Sequence, residues 1–347
     1  MIGNLSRRDF LKLSALGMGS LAFRPFFGNG EDPEGEDLAR VAIDSVSVYS
    51  KPSDQSTILY QRKRDELINI YYEVVSEHGP GYNPVWYRVF RGWVHSAHLQ
   101  RVKVRLNPVV SSIPEKHGQL AEVTVPLTQT MRYLTYNKRW EPVYRLYYGS
   151  THWVRALETG PDGQPWYLLH DELTEVQYHA PAAHFRLIPP EEFAPLSPEV
   201  DPWKKWIDVS IAQQTLKAYE DDKLVLETKI STGLPDSRNH PGHISTDTPK
   251  GQFNVYSKMP SKHMGNGEIT SDLSAYELPG VPWTTFFAPH GVALHGTYWH
   301  TNYGMTMSHG CVNLTPEISK FLFRWTTPVC NPDTWEQTGF GTLVIVH

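Results

Sequence analysis

Cysteine is the scarcest reactive residue in this chain: two occur among 347 residues, at positions 311 and 330. A domain stapled by several disulfides is therefore excluded, and pairing the two would consume Cys311, so no structural disulfide is expected. His-Glu-x-x-His and Cys-x-x-Cys are both missing, and with them the usual spacings of a zinc site. His290, His295, His300, His309 and Cys311 do fall within 22 residues. No helical period places two of them on one face, and neither a metal nor another cofactor is expected. A net charge of -5 and a pI near 6.3 leave no basic footprint, which argues against a nucleic-acid partner. No acidic tail or low-complexity tract occurs. The apolar stretch Leu13 to Phe23 counts eleven residues, well short of the roughly 20 that a membrane span takes.

What the chain has is a reactive-looking cysteine. Cys311 lies in Ser308-His309-Gly310-Cys311-Val312-Asn313, with the pair His295-Gly296 sixteen positions upstream. A cysteine attacks as its thiolate, so a nucleophile working at neutral pH needs a base or a positive charge beside it to lower its pKa. His295 and His309 are both candidates for that role. Gly310 lets the backbone approach a substrate and turn its amides towards an oxyanion. Cys330, in Pro328-Val329-Cys330-Asn331, has no such neighbours and reads as a buried structural thiol.

This arrangement resembles the signature of the L,D-transpeptidases, the YkuD-type peptidoglycan enzymes: a His-Gly, a loop, then Ser/Thr-His-Gly-Cys, an apolar residue and Asn or Arg. The resemblance extends over about 204 to 347, through Ile207-Asp208-Val209-Ser210, Ser231-Thr232-Gly233 and Thr248-Pro249-Lys250-Gly251-Gln252-Phe253. It implies a stem tetrapeptide as acyl donor, cut before its terminal D-alanine, and a second stem as acceptor, giving a 3-3 cross-link in cell wall biogenesis. Cys311 would be the nucleophile and His295 the base. The amides of His309, Gly310 and Cys311 would face the oxyanion, and Ser308 would orient a histidine. Asn313 stands where many relatives have Arg. With Gly296, Tyr276, Trp283 and Met264 it completes the expected substrate contacts. Water as acceptor would make an L,D-carboxypeptidase. A noncatalytic wall-binding protein and a cysteine peptidase are the rival classes.

The expected fold is mainly β: two small SH3-like barrels at 38–105 and 106–188, a proline-rich linker at 189–203, then a β-rich catalytic domain at 204–347. Period-2 runs such as Leu67-Ile68-Asn69-Ile70 and Trp86-Tyr87-Arg88-Val89 carry the first barrel. A repeat suggests the second, since Trp86-Tyr87 recurs as Trp166-Tyr167 and Ala97-His98-Leu99 as Ala183-His184-Phe185. Both barrels are expected to position or bind the wall and to do no chemistry. One helix is predicted, with Thr315 as N-cap and Pro316 first, presenting Ile318, Phe321, Leu322 and Trp325 on one face. The stretch from Tyr256 to Phe287 reads as a long loop covering the substrate.

Ser6-Arg7-Arg8-Asp9-Phe10-Leu11-Lys12 resembles a twin-arginine export signal occupying 1–30. It implies a periplasmic or cell-surface location, with membrane association if the segment stays uncleaved. A monomer is expected.

Overall fold

A computed structural model describes residues 37–238 and 244–347. The export-signal reading of 1–30 lies outside the described residues. Among these residues no helix is long and apolar enough to cross a membrane.

The architecture is mainly β, as the alternating runs predict. The N-terminal half contains two β units wired alike. In the first, Val85–Val89 and Gly92–His95 pair antiparallel, a 3-10 turn at Ser96–His98 follows, and Leu99–Val102 returns to pair with the opening strand Leu38–Val41. In the second, Pro165–His170 and Gln177–Pro181 pair, Ala182–His184 makes the turn, and Phe185–Leu187 pairs with its own opening strand Gln119–Val123. The repeated sequence words therefore mark the same local structure twice. Trp86 and Trp166 each lie over a glycine, Gly79 and Gly160, where an added Cβ would come within 2.5 and 2.2 Å of the indole. Each unit has its own core, one around Val41, Tyr87 and Leu99, the other around Val123, Tyr167 and Phe185.

Among the described residues, the C-terminal half consists of two five-stranded sheets and one α-helix. In the first sheet Lys205–Ser210 is central, antiparallel to Thr215–Glu220 and parallel to the last strand, Leu343–Val346. In the second, Val292–Gly296 is antiparallel to Glu277–Ala288 and parallel to Val312–Leu314. Ile207, Val209 and Val344 of the first sheet and Phe287, Leu294 and Val312 of the second share a single core with Leu322 and Trp325 of the helix.

The helix spans Pro316–Trp325 and starts as its sequence signals dictate. The Thr315 side chain accepts the Ile318 amide, and Pro316 occupies the first turn, where no donor is lost. Its buried face differs slightly from the expected one. Phe323 points into a second cluster while Ile318 and Phe321 are only partly buried.

That second cluster changes how the halves relate. It joins Leu120, Trp153, Ile188 and Phe193 from the N-terminal side to Trp283, Phe323 and Cys330 from the C-terminal side. The proline-rich segment at 189–203 is docked by the same contacts. Glu192 pairs with Lys320, Arg324 Nε donates to Ala194 O at 2.8 Å, and Leu196 N donates to Arg324 O at 3.1 Å.

The expected loop between Tyr256 and Phe287 is instead a long β-hairpin, Ser257–Gly265 paired with Glu277–Ala288. Only its tip is irregular. Cross-strand pairing of so many residues satisfies backbone groups that a loop would have to leave to solvent.

Candidate active site

Two adjacent parallel strands create the site. Val292–Gly296 places His295 opposite Asn313 of Val312–Leu314, with Leu294 opposite Val312, so that Cys311 sits just before the second strand. His295 is buried, and its Nδ1 lies 3.0 Å from Gly296 O. A carbonyl only accepts, so Nδ1 carries the proton and Nε2 keeps its lone pair. Burial holds His295 down to about 4, against the smaller opposing effect of that carbonyl. The imidazole is thus neutral at any ordinary pH.

Cys311 is half-buried, and its thiol donates to Gly291 O at 3.7 Å. Burial pushes it up to about 11, only partly offset by the Ala293 backbone. This reverses the expectation of a lowered thiol pKa. At rest the thiol and the imidazole are therefore both neutral.

The loop carrying Cys311 is held by the motifs that flank it. Met307 N and Ser308 N both donate to Thr232 O, and Leu234 N donates to Ser308 O. Thr248 Oγ1 accepts the Gly233 amide and donates to Gly310 O, each at 2.8 Å. Gly233 has no room for a side chain, since a Cβ would meet Thr246 O at 2.0 Å. Gly310 has φ +115, a conformation that L side chains avoid. These contacts give Ser231-Thr232-Gly233 and Thr248-Pro249 their purpose.

Three expected roles are corrected. Ser308 orients no histidine; its hydroxyl donates to Cys311 O and accepts the Gly310 amide at 3.2 Å, closing the loop on itself. The Gly310 amide is thereby occupied within the loop, against the expectation that it faces an oxyanion. Gly296 is a packing glycine: a Cβ there would come within 2.7 Å of Ser319 Oγ and 2.9 Å of Pro316 Cα. Its carbonyl, rather than its surface, serves the site. Trp283 is core, wedged edge-on between Phe193 and Phe323 at centroid distances of 5.5 and 5.2 Å.

The remaining candidates meet in one cleft of about 380 Å³, lined by His295, Ser308, His309, Cys311 and Asn313 together with Met264 and Tyr276 from the hairpin. Tyr276 packs against the exposed His309 ring, with centroids 5.6 Å apart. Asn313 is buried, its amide 2.8 Å from His300 Nε2, and the other end of that amide has no partner. Because His300 Nδ1 accepts the Asn302 amide, its Nε2 carries the proton, so the Asn313 oxygen faces the ring. The side-chain NH2 is then the unpaired end.

Sequence reasoning missed the other walls. Tyr298, Trp299 and Met307 come from the loop between the two motifs, whereas Arg40, Arg64, Tyr144, Arg145 and Tyr147 come from the N-terminal β units. Aromatics in the short loop after Gly296 were a visible signal. Nothing local marks an arginine some 165 to 270 positions away from Cys311 as part of the same cleft.

Residues 204–346 match the YkuD family, the L,D-transpeptidase catalytic domain. The matched L,D-transpeptidase domain contains both motifs and the strands that bring them together, and it covers less than half of the chain. No curated protein matches. Solved L,D-transpeptidases are similar to it. The Enterococcus faecium enzyme, solved as a C442S mutant, is 27% identical over 42% of this chain and 50% of its own, with a TM-score of 0.30. The NMR structure of the E. faecium catalytic domain is 29% identical over 41% of this chain and 96% of its own, TM-score 0.30. The Mycobacterium smegmatis enzyme is 21% identical over 50% and 73%, TM-score 0.32. This chain thus spans about half the length of the first of these relatives.

Proposed function

We propose that this protein is a peptidoglycan L,D-transpeptidase that works through a Cys311 acyl-enzyme. The observation that carries the reading is His295 held neutral, with its Nδ1 proton committed to Gly296 O, in the same cleft as the Cys311 thiol.

His295 Nε2 takes the thiol proton as sulfur attacks the carbonyl carbon of the third stem residue. The carbonyl oxygen becomes an oxyanion, which the His309 and Cys311 amides stabilise. Collapse breaks the C–N bond, and Nε2-H protonates the departing D-alanine amine. A thioester remains. An amine of a second stem then attacks it, returns a proton through His295 to sulfur, and leaves a 3-3 cross-link. Tyr276 and Met264 border the peptide. Export through the twin-arginine route, with action outside the cytoplasm, belongs to the same proposal.

Incubating the purified protein with disaccharide tetrapeptide tests it. Loss of one D-alanine with formation of a cross-linked dimer is the expected mass signature. Intact tetrapeptide after prolonged incubation would refute the reading, and tripeptide without dimer would reduce it to a carboxypeptidase.

A further inference from the structure

The cleft that holds Cys311 is not made by the catalytic domain alone. Arg40 and Arg64 of the first β unit and Arg145 of the second line it too, and the three guanidiniums are not equivalent. Arg40 is structural. It is buried and stacked 3.9 Å from the Tyr147 ring, with its donors spent on Gln100, Asp65 and the Tyr298 carbonyl. Arg145 is 29% exposed and pairs through Nη1 with Asp65 at 2.5 Å; its Nε is buried without a partner, so Nη2 is the donor left for a ligand. Arg64 is 31% exposed. It donates to Leu273 O at the hairpin tip and pairs with Asp44, a carboxylate that is 92% exposed and so is largely screened by solvent.

On this wall three guanidiniums therefore meet two carboxylates, the shared Asp65 and the solvent-exposed Asp44. Asp65 is the one buried carboxylate there, and Arg40 and Arg145 share it. The acidic groups on the facing hairpin have hydrogen-bond partners of their own. Glu277 bonds the His263 ring at 2.7 Å and the Glu268 amide at 2.8 Å, while Asp272 accepts the Ser274 amide and hydroxyl. A guanidinium has five donors in a planar fork that matches a carboxylate. Arg64 and Arg145 both have donors left over.

We propose that Arg145 and Arg64 bind a carboxylate of the peptide substrate, so that the two N-terminal β units complete the substrate site. This rests on the transpeptidase reading above and replaces the expectation that those units stand apart from the chemistry. Arg40 and Asp65 act as positioning residues, fixing Arg145 and tying the first β unit to the loop that carries Tyr298.

The test uses the full chain and two tetrapeptides, one with free side-chain carboxylates and one with those groups amidated. Wild type is expected to favour the free acid by about tenfold in KM, the scale of one charge-assisted hydrogen-bonded pair. The double variant Arg64→Gln/Arg145→Gln should lose that preference by raising KM for the acid alone, and Arg145→Lys in an otherwise native chain should keep part of it. If Arg145→Gln unfolds by stranding Asp65, Arg64→Gln alone decides, because its partner is exposed. An undiminished preference in the variants, or none in wild type, overturns the proposal. Should no protein turn over either peptide, the transpeptidase reading fails separately. The subsite is then judged by the peptide concentration that protects Cys311 from iodoacetamide: equal protection by acid and amide refutes it, and selective protection by the acid that is lost in the variants supports it.

Discussion

The surroundings of Cys311 and Cys330 differ in a way that the acidity of the two thiols does not reveal. Burial pushes both up to about 11. Cys330 even has a cation nearby that partly offsets its burial: Lys258, whose ammonium lies over Phe323 and donates to Thr326 O and Pro328 O. Cys330 is nonetheless sealed into an apolar cluster with Trp283 and Phe323. Cys311 opens onto a cleft shared with a neutral histidine whose tautomer is fixed. A cleft shared with a neutral imidazole separates the two sites; a pKa shift does not.

The sharpest way to break this comparison is to remove each sulfur in turn. Cys311→Ala is expected to lower D-alanine release by about 10⁴-fold or more, as loss of a covalent nucleophile does. Cys330→Ala should leave the rate within about twofold, since Cys330 lines no part of the cleft. Comparable losses at both positions would erase the distinction.

His295→Ala comes next, with an expected loss of about 10²–10⁴-fold. The pH profile adds a sign. Folded His295 stays neutral until the pH falls through about 4, whereas an unfolded histidine gains its proton near 6.5. Between those values the unfolded chain binds the extra proton. The contribution of His295 to stability is thus fully present above about 6.5 and is lost as the pH falls to about 4. Activity limited by this base should likewise fall through about pH 4. Its persistence at pH 3 would remove His295 from the role.

The packed side of the comparison predicts that the catalytic half is not self-sufficient. A fragment covering 204–347 lacks Leu120, Trp153, Ile188 and Phe193, and so re-exposes Trp283 and Phe323. Each side chain fully returned to water costs on the order of 1.5–3 kcal/mol. The fragment should melt below the full chain and bind a hydrophobic dye. Equal melting temperatures without dye binding would show that the shared cluster is dispensable.

Gly296→Ala connects the two regions at smaller scale. Its methyl has to displace Ser319 Oγ or Pro282, an overpacking cost of about 1–3 kcal/mol. Melting should register it. A variant as stable as wild type would mean that the helix shifts freely. Cys330→Ala, losing one sulfur from a packed site, should cost about 1 kcal/mol in the same assay.

Much of this protein was legible locally. Thr315-Pro316 fixes the start of the helix because capping and a missing donor act within one turn. Alternating runs specify strands, and a repeated Trp-Tyr marks two β units wired alike, because each unit buries its own core. His295-Gly296 and Ser308-His309-Gly310-Cys311 could be picked out because their chemistry is written in neighbouring residues.

The tertiary structure decided the rest, wherever the outcome depends on what lies across a gap in sequence. Trp283 as core rather than contact, Gly296 as a packing position and Ser308 as a loop clasp all depend on partners that no spacing rule supplies. Burial, set by the whole surrounding shell, raised the Cys311 thiol where neighbouring histidines had suggested the opposite. Arg64 and Arg145 reach the cleft only because apolar packing and a buried Arg40–Asp65 pair dock the N-terminal units against the loop and hairpin that shape it. Sequence fixes which groups a segment carries; the sum of weak long-range contacts determines which of them face the same space.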